Sequence, residues 1–184
     1  MYEMRSPEHK VELASPSDFP ELCALFDAAN TYAAVKAGIP GWLSPDSAYA
    51  AIKQHLEANE TFIMRAAGGA IGSAISLSET NAAWSAVDQR EEVLYFSKYV
   101  KHPAKAGPQD PLILLLYMCA EAAQRNKTLI RCNAMADQEG LIRYYHSLGF
   151  TNQGLHTHDG GRISILLEVS AADLAMKIDD LLNQ

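Results

Sequence analysis

The feature that most constrains the fold is an almost continuously apolar segment between two β-rich runs. Residues Leu112–Asn126 are apolar nearly all round a helix, and such a helix is stable in water only when it is buried against other elements. The segment follows Val93–Val100 (VLYFSKYV) and precedes Thr128–Asn133, and both runs have the composition of strands. A strand, a buried helix and a second strand predict a parallel crossover.

Hairpins and further helices are predicted around this crossover. Gly68-Gly69 separates two β-rich runs, which is the pattern of a tight hairpin, and Asp159-Gly160-Gly161 does the same near the C-terminus. The other predicted strands are Val11–Ala14, Thr61–Ala66, Ala70–Ser78, Asn152–His158 and Arg162–Val169. The other predicted helices are Phe19–Tyr32, Ser44–Asn59, Glu139–Leu148 and Ala171–Leu182. This order predicts an α/β fold with a mixed sheet and helices on both faces.

Length and charge narrow the class of protein. The chain has 184 residues, of which 48% are hydrophobic and 20% charged, as is typical of one globular domain. We expect a single domain over residues 1–184, with residues 1–9 flexible and 171–184 forming an additional C-terminal helix. The net charge of −7, with both signs interspersed, argues against nucleic-acid binding. Neither a membrane span nor a signal peptide is evident, so we expect a cytoplasmic protein without a membrane partner.

The cysteines and histidines do not indicate metal or nucleophile chemistry. Cys23, Cys119 and Cys132 are widely separated in apolar contexts, which is typical of core thiols and argues against disulfides and zinc. His156 and His158 alternate on one predicted strand, so both rings lie on one face, but no third ligand is evident. We therefore expect no metal site.

Three segments resemble the GNAT superfamily of N-acetyltransferases. Val11–Phe19 (VELASPSDF) is similar to the family's first strand and helix, and Thr61–Ser78 is similar to its second and third strands. The most specific segment is Leu141–Phe150 (LIRYYHSLGF), in which a tyrosine stands four residues before Gly-Phe and another glycine follows. The resemblance implies a mixed, mostly antiparallel sheet of six to seven strands with helices on both faces.

The same resemblance implies an enzyme that depends on acetyl-CoA. Members of the family usually transfer the acetyl group by direct attack of a primary amine in a ternary complex, and they often form homodimers. For this chain it implies an acceptor amine on a small molecule or a peptide. The apolar side of the C-terminal helix, which includes Leu174 and Ile178, is predicted either to make a dimer contact or to dock on its own domain. A longer acyl donor is an alternative.

The family's cofactor loop precedes the central helix and typically reads Arg/Gln-x-x-Gly-x-Gly/Ala. Its backbone N–H groups receive the pyrophosphate at the helix N-terminus. The corresponding segment here is Pro103–Pro111 (PAKAGPQDP), where only Gly107 falls on a family glycine. Pro108 has no N–H to donate, and Asp110 is a natural N-cap that places a carboxylate where phosphate is expected. The alternative is therefore a non-catalytic binding or regulatory module that has lost acetyl-CoA binding.

The resemblance also implies the residues that hold the cofactor. Lys105 and Gly107 are expected to contact phosphate, with Lys101 as an alternative charged contact. The backbone of Tyr99 and Val100 is expected to hold the pantetheine arm. Gln138 stands where the family often has an asparagine that contacts the cofactor or an ordered water.

Tyr145 aligns with the tyrosine that, in many family members, protonates the departing sulfur. A phenol suits this role because its pKa of about 10 is near that of a thiol. The alternatives are that Tyr145 is an aromatic on the buried face of its helix, or that Tyr144 takes the role. Glu92 or Glu91, before the central strand, is the candidate base, and deprotonation through water is the alternative.

Two tryptophans lie in connections that often wall the family's acceptor site. Trp42 precedes the second predicted helix, and Trp84 lies between predicted strands. An aromatic ring at either place is expected to pack on the acceptor or, alternatively, in the core or at an interface.

Overall fold

The structure is a computed structural model that describes residues 10–37, 45–87 and 90–184. The strands are β1 (Val11–Leu13), β2 (Thr61–Arg65), β3 (Ile71–Ser78), β4 (Val93–Lys101), β5 (Leu129–Met135), β6 (Thr151–Thr157) and β7 (Ile163–Ser170). The helices are α1 (Phe19–Ala37), α2 (Pro45–Glu57), α3 (Asp110–Gln124), α4 (Glu139–Ser147) and α5 (Ala171–Leu182). Short 3₁₀ helices cover Pro16–Asp18 and Ala82–Trp84. The predicted order of strands and helices is confirmed.

The strands form one seven-stranded sheet in the order β1-β2-β3-β4-β5-β7-β6. β4 and β5, the strands on either side of α3, are parallel, with Val93 opposite Leu129 and Tyr95 opposite Arg131. The pairs β1-β2, β2-β3, β5-β7 and β6-β7 are antiparallel. The predicted mixed, mostly antiparallel sheet with helices on both faces and a parallel crossover is therefore confirmed.

The chain divides into two compact units, which are described separately. The first comprises the chain up to Ser76 together with Lys98–Leu114, and the second comprises Leu77–Ser97 and Leu115–Gln184. In the first unit α1 and α2 contribute to one apolar core with β2 and β3. Its buried members include Leu22, Leu25, Phe26, Ile52, Leu56, Ile63, Ile71, Ala74 and Val100.

Arg65 connects the secondary-structure elements of the first unit. Its Nε donates to Oε1 of Glu12 at 2.7 Å, and one terminal nitrogen donates to Oδ1 of Asp18 at 2.7 Å. The other terminal nitrogen lies 3.4 Å from Oε2 of Glu21, whose second oxygen accepts the Ile71 N–H at 2.8 Å. One guanidinium therefore binds β1, the 3₁₀ helix and α1 to the β2-β3 hairpin.

The second unit contains a buried ion pair beside an aromatic ring. Arg131 on β5 is 1% exposed, and Trp84 is fully buried. The Arg131 Nε donates to Oε2 of Glu168 at 2.6 Å, because the two residues are opposite each other in the β5-β7 register. The guanidinium carbon lies 4.3 Å from the centre of the Trp84 ring, a cation–π contact. Trp84 therefore packs in the core, which was the second of its two predicted roles.

The C-terminal helix begins and ends as predicted. Ser170 caps α5 by accepting the Asp173 N–H at 3.3 Å. Leu174 and Ile178 on its apolar side are fully buried. The helix therefore docks on its own chain, which was the second of the two alternatives for this apolar side.

The end of α1 differs from the prediction by more than two residues. α1 continues to Ala37 rather than ending at Tyr32, because the intervening segment is rich in alanine and contains neither glycine nor proline. α3 begins at Asp110 rather than Leu112. The other boundaries fall within two residues of the predicted ones, which is the usual uncertainty of a helix or strand end.

Some predictions lie outside the described residues. They concern the flexible segment 1–9, the break at Gly38–Gly41, Trp42 and the cap Ser44. Within the described ranges, no helix has both the length and the apolar composition needed to cross a membrane.

Candidate active site

β4 departs from regular strand geometry in its second half. Lys98 has a φ of 51°, a left-handed value that is uncommon for a residue with a side chain. Burial lowers the pKa of its ammonium group. Of the two residues expected to hold a pantetheine arm, Tyr99 is half-buried and Val100 is 5% exposed with its side chain in the first unit's core. The side chain of Val100 is therefore not available for this contact, and the contact with its backbone stays a prediction.

The segment after β4 is anchored by His102. The His102 N–H donates to the Gly72 carbonyl of β3 at 2.7 Å. Its Nδ1 accepts the Ala104 N–H at 3.1 Å, and its carbonyl accepts the Ala106 N–H at 3.2 Å. Burial and the charge of Lys105 lower the pKa of the imidazole, which suits an acceptor at Nδ1. The start of the predicted cofactor loop is therefore a folded turn.

The end of the loop is occupied by the chain's own carboxylate. The Gly107 N–H donates to Oδ2 of Asp110 at 2.7 Å, and Asp110 is only 5% exposed. The prediction that Asp110 is the N-cap is wrong by one residue, because the Gln109 carbonyl accepts the Ile113 N–H at 3.0 Å and Gln109 thus takes the cap position. The expected carboxylate at the helix N-terminus is nevertheless present.

The remaining loop amides show where an anion can bind. Pro103 and Pro108 have no N–H, and the amides of Ala104, Ala106 and Gly107 are engaged as described. Within residues 10–37, 45–87 and 90–184, the N–H groups of Lys105 and Gln109 have no acceptor. Both residues are exposed, so these amides and the Lys105 ammonium are candidate donors to phosphate. No sequence pattern distinguishes the open amides from the engaged ones.

Tyr145 lies in an aromatic cluster of the second unit. It is 4% exposed, and its ring centre lies 5.8 Å from that of Phe96, 5.3 Å from that of Phe150 and 5.8 Å from that of Tyr144. Burial, followed by Cys132 and Tyr144, raises the pKa of Tyr145 well above its usual 10.0. The hydroxyl is therefore protonated at neutral pH, but its pKa lies further from that of a thiol than the prediction assumed. The predicted position on a buried helix face is correct, and the catalytic role stays a prediction.

Gln138 lies at the start of α4. It is 6% exposed, and its carbonyl accepts the Ile142 N–H at 3.1 Å. Its side chain makes no capping hydrogen bond. The amide is thus not used to start the helix, and its expected contact with the cofactor or with water stays a prediction.

Glu92 lies at the C-terminal end of α3. Its carbonyl accepts the N–H groups of Thr128 and Leu129 at 2.9 and 3.1 Å, and its carboxylate is exposed. An open cavity of about 380 Å³ lies there, lined by Glu91, Glu92, Arg125, Asn126 and Lys127. The predicted cofactor loop, by contrast, precedes the N-terminal end of α3. The role of Glu92 as a general base stays a prediction.

The cysteines have the properties of inert thiols. Cys119 and Cys132 are buried and free, and Cys23 is half-buried and free. Burial raises the pKa of Cys119 to about 12 and raises that of Cys132 well above the usual value. Across the described ranges, no group of three or more His, Cys, Asp or Glu residues is arranged to hold a metal ion.

Comparison with solved structures identifies the fold. An acetyltransferase of the GNAT family from Listeria monocytogenes superposes with a TM-score of 0.67 at 18% identity, over 88% of this chain and 94% of that one. Salmonella typhimurium yncA, a putative acetyltransferase solved with its cofactor acetyl-CoA, superposes with a TM-score of 0.57. Its sequence is 19% identical, over 89% of this chain and 94% of that one. The ribosomal-protein-S18-alanine N-acetyltransferase of Escherichia coli superposes with a TM-score of 0.63. Its sequence is 12% identical, over 89% of this chain and 94% of that one.

The fold of this chain is therefore that of the GNAT acetyltransferases. The three similarities are structural, at 12%, 18% and 19% sequence identity. No protein-family model and no curated protein matches the sequence.

Proposed function

We propose that this protein is an acetyl-CoA-dependent N-acetyltransferase, acting on a primary amine of a small molecule or peptide by direct attack in a ternary complex. The observation that carries the proposal is that an amide of the loop before α3 already holds a negatively charged group, the side-chain carboxylate of Asp110. Gly107 donates its N–H to a carboxylate there, in the loop where members of this fold receive pyrophosphate. The open amides of Lys105 and Gln109 extend the same set of donors. The whole chain would act as one domain.

The proposed binding contacts follow from these donors. A helix N-terminus combines unpaired N–H groups with the positive end of the helix dipole, which favours phosphate. Lys105 adds an exposed ammonium group next to its own amide. The backbone of Tyr99 and Val100 would hold the pantetheine arm, and Gln138 would contact the cofactor or a bound water.

The proposed chemistry needs a proton donor for the leaving sulfur and a proton acceptor for the amine. The Tyr145 hydroxyl, which burial keeps protonated, would supply the first. The assignment of Glu92 to the second stays a prediction, and water is its alternative. A homodimer also stays a proposal; Leu174 and Ile178 of α5 are buried within the chain and would not contribute to its interface.

A second candidate function is a binding or regulatory module that does not take coenzyme A. The observation that favours it is the same hydrogen bond, because the buried carboxylate of Asp110 already occupies the Gly107 amide. A hydrogen bond to a charged group contributes about 1.5–3 kcal/mol. Phosphate that must displace this carboxylate therefore binds roughly 10- to 150-fold more weakly than it would to an open loop.

Calorimetric titration with acetyl-CoA tests both functions. The wild type, Asp110→Ala and the exposed control Asp137→Ala are titrated in parallel, with melting curves as a second readout. A ligand at 100 times its Kd adds about 2.7 kcal/mol of stability. The enzyme proposal expects the wild type to bind, Asp110→Ala to bind at least tenfold more tightly, and Asp137→Ala to match the wild type.

The outcomes separate the two functions. If Asp110→Ala binds acetyl-CoA and the wild type does not, the result supports the second candidate function, a binding or regulatory module. If neither protein binds millimolar acetyl-CoA, the proposed transferase function is wrong. Binding by the wild type that Asp110→Ala leaves unchanged means that the carboxylate does not compete with the phosphates.

A further inference from the structure

A row of polar side chains lies on one face of the second unit's sheet. Asn133 on β5 is opposite Leu166 on β7, and Ser164, two residues from Leu166, is opposite both Met135 of β5 and His156 of β6. Residues two apart on a strand, and residues directly opposite, share a face. Leu166 belongs to the buried cluster around Trp84, so the polar row continues that apolar face.

The members of this row are joined by hydrogen bonds and ring contacts. Nδ2 of Asn81 donates to Oδ1 of Asn133 at 3.3 Å. Nε2 of His158 lies 3.0 Å from Oγ of Ser164, which is fully buried. The rings of His156 and His158 meet edge to face with centres 4.6 Å apart. The half-buried His158 imidazole is therefore held in one orientation by a buried hydroxyl.

The row reaches the carboxyl end of β5. Met135 is the last residue of β5, which runs parallel to β4. In open α/β sheets ligands bind beyond the carboxyl ends of parallel strands. A few polar groups at the edge of an apolar surface are the usual composition of a small-molecule site. Neither the predicted cofactor loop nor Tyr145 uses these residues.

We propose that His158, positioned by Ser164, takes the proton from the acceptor amine. This inference rests on the transferase function proposed above. The required tautomer has its proton on Nε2, which donates to the Ser164 oxygen and leaves the lone pair of Nδ1 free. Ser164 is then a positioning residue, and its oxygen also stabilises the imidazolium that forms.

The proton and bond changes balance as follows. The ammonium form of the acceptor gives one proton to Nδ1 of His158, and the freed lone pair attacks the thioester carbonyl. A C–N bond forms and the C–S bond breaks. Tyr145 protonates the departing sulfur and regains the second proton that the amine nitrogen loses. His158 releases its proton to solvent, so the net products are an amide, a thiol and one proton.

The charges around His158 favour its neutral form. Burial lowers its pKa below the usual 6.5, the charges of His156 and Arg162 act in the same direction, and Asp159 opposes them. Ser164 of β7 and Met135 of β5 carry no charge. The imidazole is consequently neutral and able to accept a proton at pH 7, and this ability is lost as pH falls through its pKa.

The experiment follows thiol release from acetyl-CoA with two acceptor probes, ethanolamine and a peptide with a free N-terminal alanine. The variants are His158→Gln and Ser164→Ala, and the control is His146→Gln, on an exposed residue of α4. His158→Gln is expected to lower kcat/KM by about 100-fold or more. It is also expected to remove the acid limb of the pH profile of kcat/KM, which is the fall in rate below pH 6.5 in the wild type. Ser164→Ala is expected to lower kcat/KM by a smaller factor and to shift the pH at which the acid limb of the profile appears. Acetyl-CoA affinity stays unchanged in all three variants.

Chemical rescue distinguishes proton transfer from structure. Added imidazole is expected to restore part of the rate of His158→Ala. If the wild type turns over and His158→Gln keeps either its rate or its acid limb, His158 is not the proton acceptor and the transferase function stands. If the wild type turns over neither probe, the proposed amine transfer and this inference are both wrong.

Discussion

Tyr145 and Phe150 are joined twice, through the backbone and through their rings. The Phe150 N–H donates to the Tyr145 carbonyl at 3.1 Å, while the Gly149 N–H donates to the His146 carbonyl at 3.0 Å. This pair of hydrogen bonds is a Schellman motif, which requires a left-handed residue after the helix, and Gly149 has a φ of 96°. The ring centres of Tyr145 and Phe150 are 5.3 Å apart. The Tyr-x-x-x-Gly-Phe motif is therefore a helix stop that also fixes the tyrosine.

We expect Gly149→Ala to destabilise the protein and Gly140→Ala to stabilise it. A Cβ at Gly149 would meet only Val169, at 3.7 Å, so the cost is backbone strain of about 1–3 kcal/mol. Gly140 lies inside α4 with nothing within 4 Å of an added Cβ, and alanine there gains about 0.4–1 kcal/mol. Urea unfolding measures both. Equal effects of the two substitutions would contradict the assigned role of Gly149.

Tyr145→Phe is expected to lower kcat by about 100-fold with little change in acetyl-CoA affinity or stability, because only the hydroxyl is removed from a packed ring. The raised pKa of Tyr145 also predicts that this group causes no alkaline limb in the pH profile below pH 10.0. Tyr144→Phe is the matched control. Should Tyr144→Phe be the inactive variant, the proton donor is one residue earlier than we propose.

Gly107→Ala is expected to push the Asp110 carboxylate off the loop. The added Cβ would lie 2.8 Å from Oδ1 of Asp110, a distance that forces the side chain to move. The lost charged hydrogen bond costs about 1.5–3 kcal/mol. In an Asp110→Ala background the same change has nothing to displace, so its cost falls toward zero. Additive effects in this double-mutant cycle would show that the two residues are not coupled.

Lys105→Ala is expected to weaken acetyl-CoA binding by about twofold to fivefold, because an exposed ammonium contributes modestly to an anion site. The loss shrinks as salt is raised, since screening weakens exposed charges. Lys101→Ala, at the exposed end of β4, is the control and leaves affinity unchanged. If only Lys101→Ala weakens acetyl-CoA binding, Lys101 and not Lys105 contacts the phosphates.

Arg65→Met is expected to cost about 1–2 kcal/mol at pH 7 through lost charged hydrogen bonds, discounted for partial exposure. Burial raises the pKa of Asp18, but hydrogen bonds from Ser15 and Arg65 outweigh it and hold this pKa below 3.8. The ionised Asp18 therefore stabilises the fold above pH 3.8, and this stability is lost as pH falls through its folded pKa.

Urea unfolding at pH 7 and near pH 3 tests this pH dependence. The difference in the free energy of unfolding between the wild type and Arg65→Met should be smaller at the lower pH. Lys53→Met is the control, since Lys53 lies 3.9 Å from Glu57 with both side chains well exposed, and its effect should be small at either pH. A gap of the same size at both pH values would exclude Asp18 as its source.

The order of elements and the fold class were determined by the sequence alone. The apolar α3 between two β-rich runs requires a buried crossover, and Gly68-Gly69 and Gly149 mark chain reversals, because glycine tolerates the backbone angles that other residues avoid. These signals are local in the chain. They can therefore be recognised from a single sequence.

Only the tertiary structure decided which polar groups are open and which are engaged. Asp110 looks like an N-cap in sequence, but its carboxylate turns back to the Gly107 amide, and the amides of Lys105 and Gln109 stay open. Likewise, His158 acquires a partner only because the β6-β7 hairpin brings it to Ser164. A hydrogen bond depends on distances of a few tenths of an ångström between groups that the chain brings together only on folding. Patterns of residue type do not carry that information.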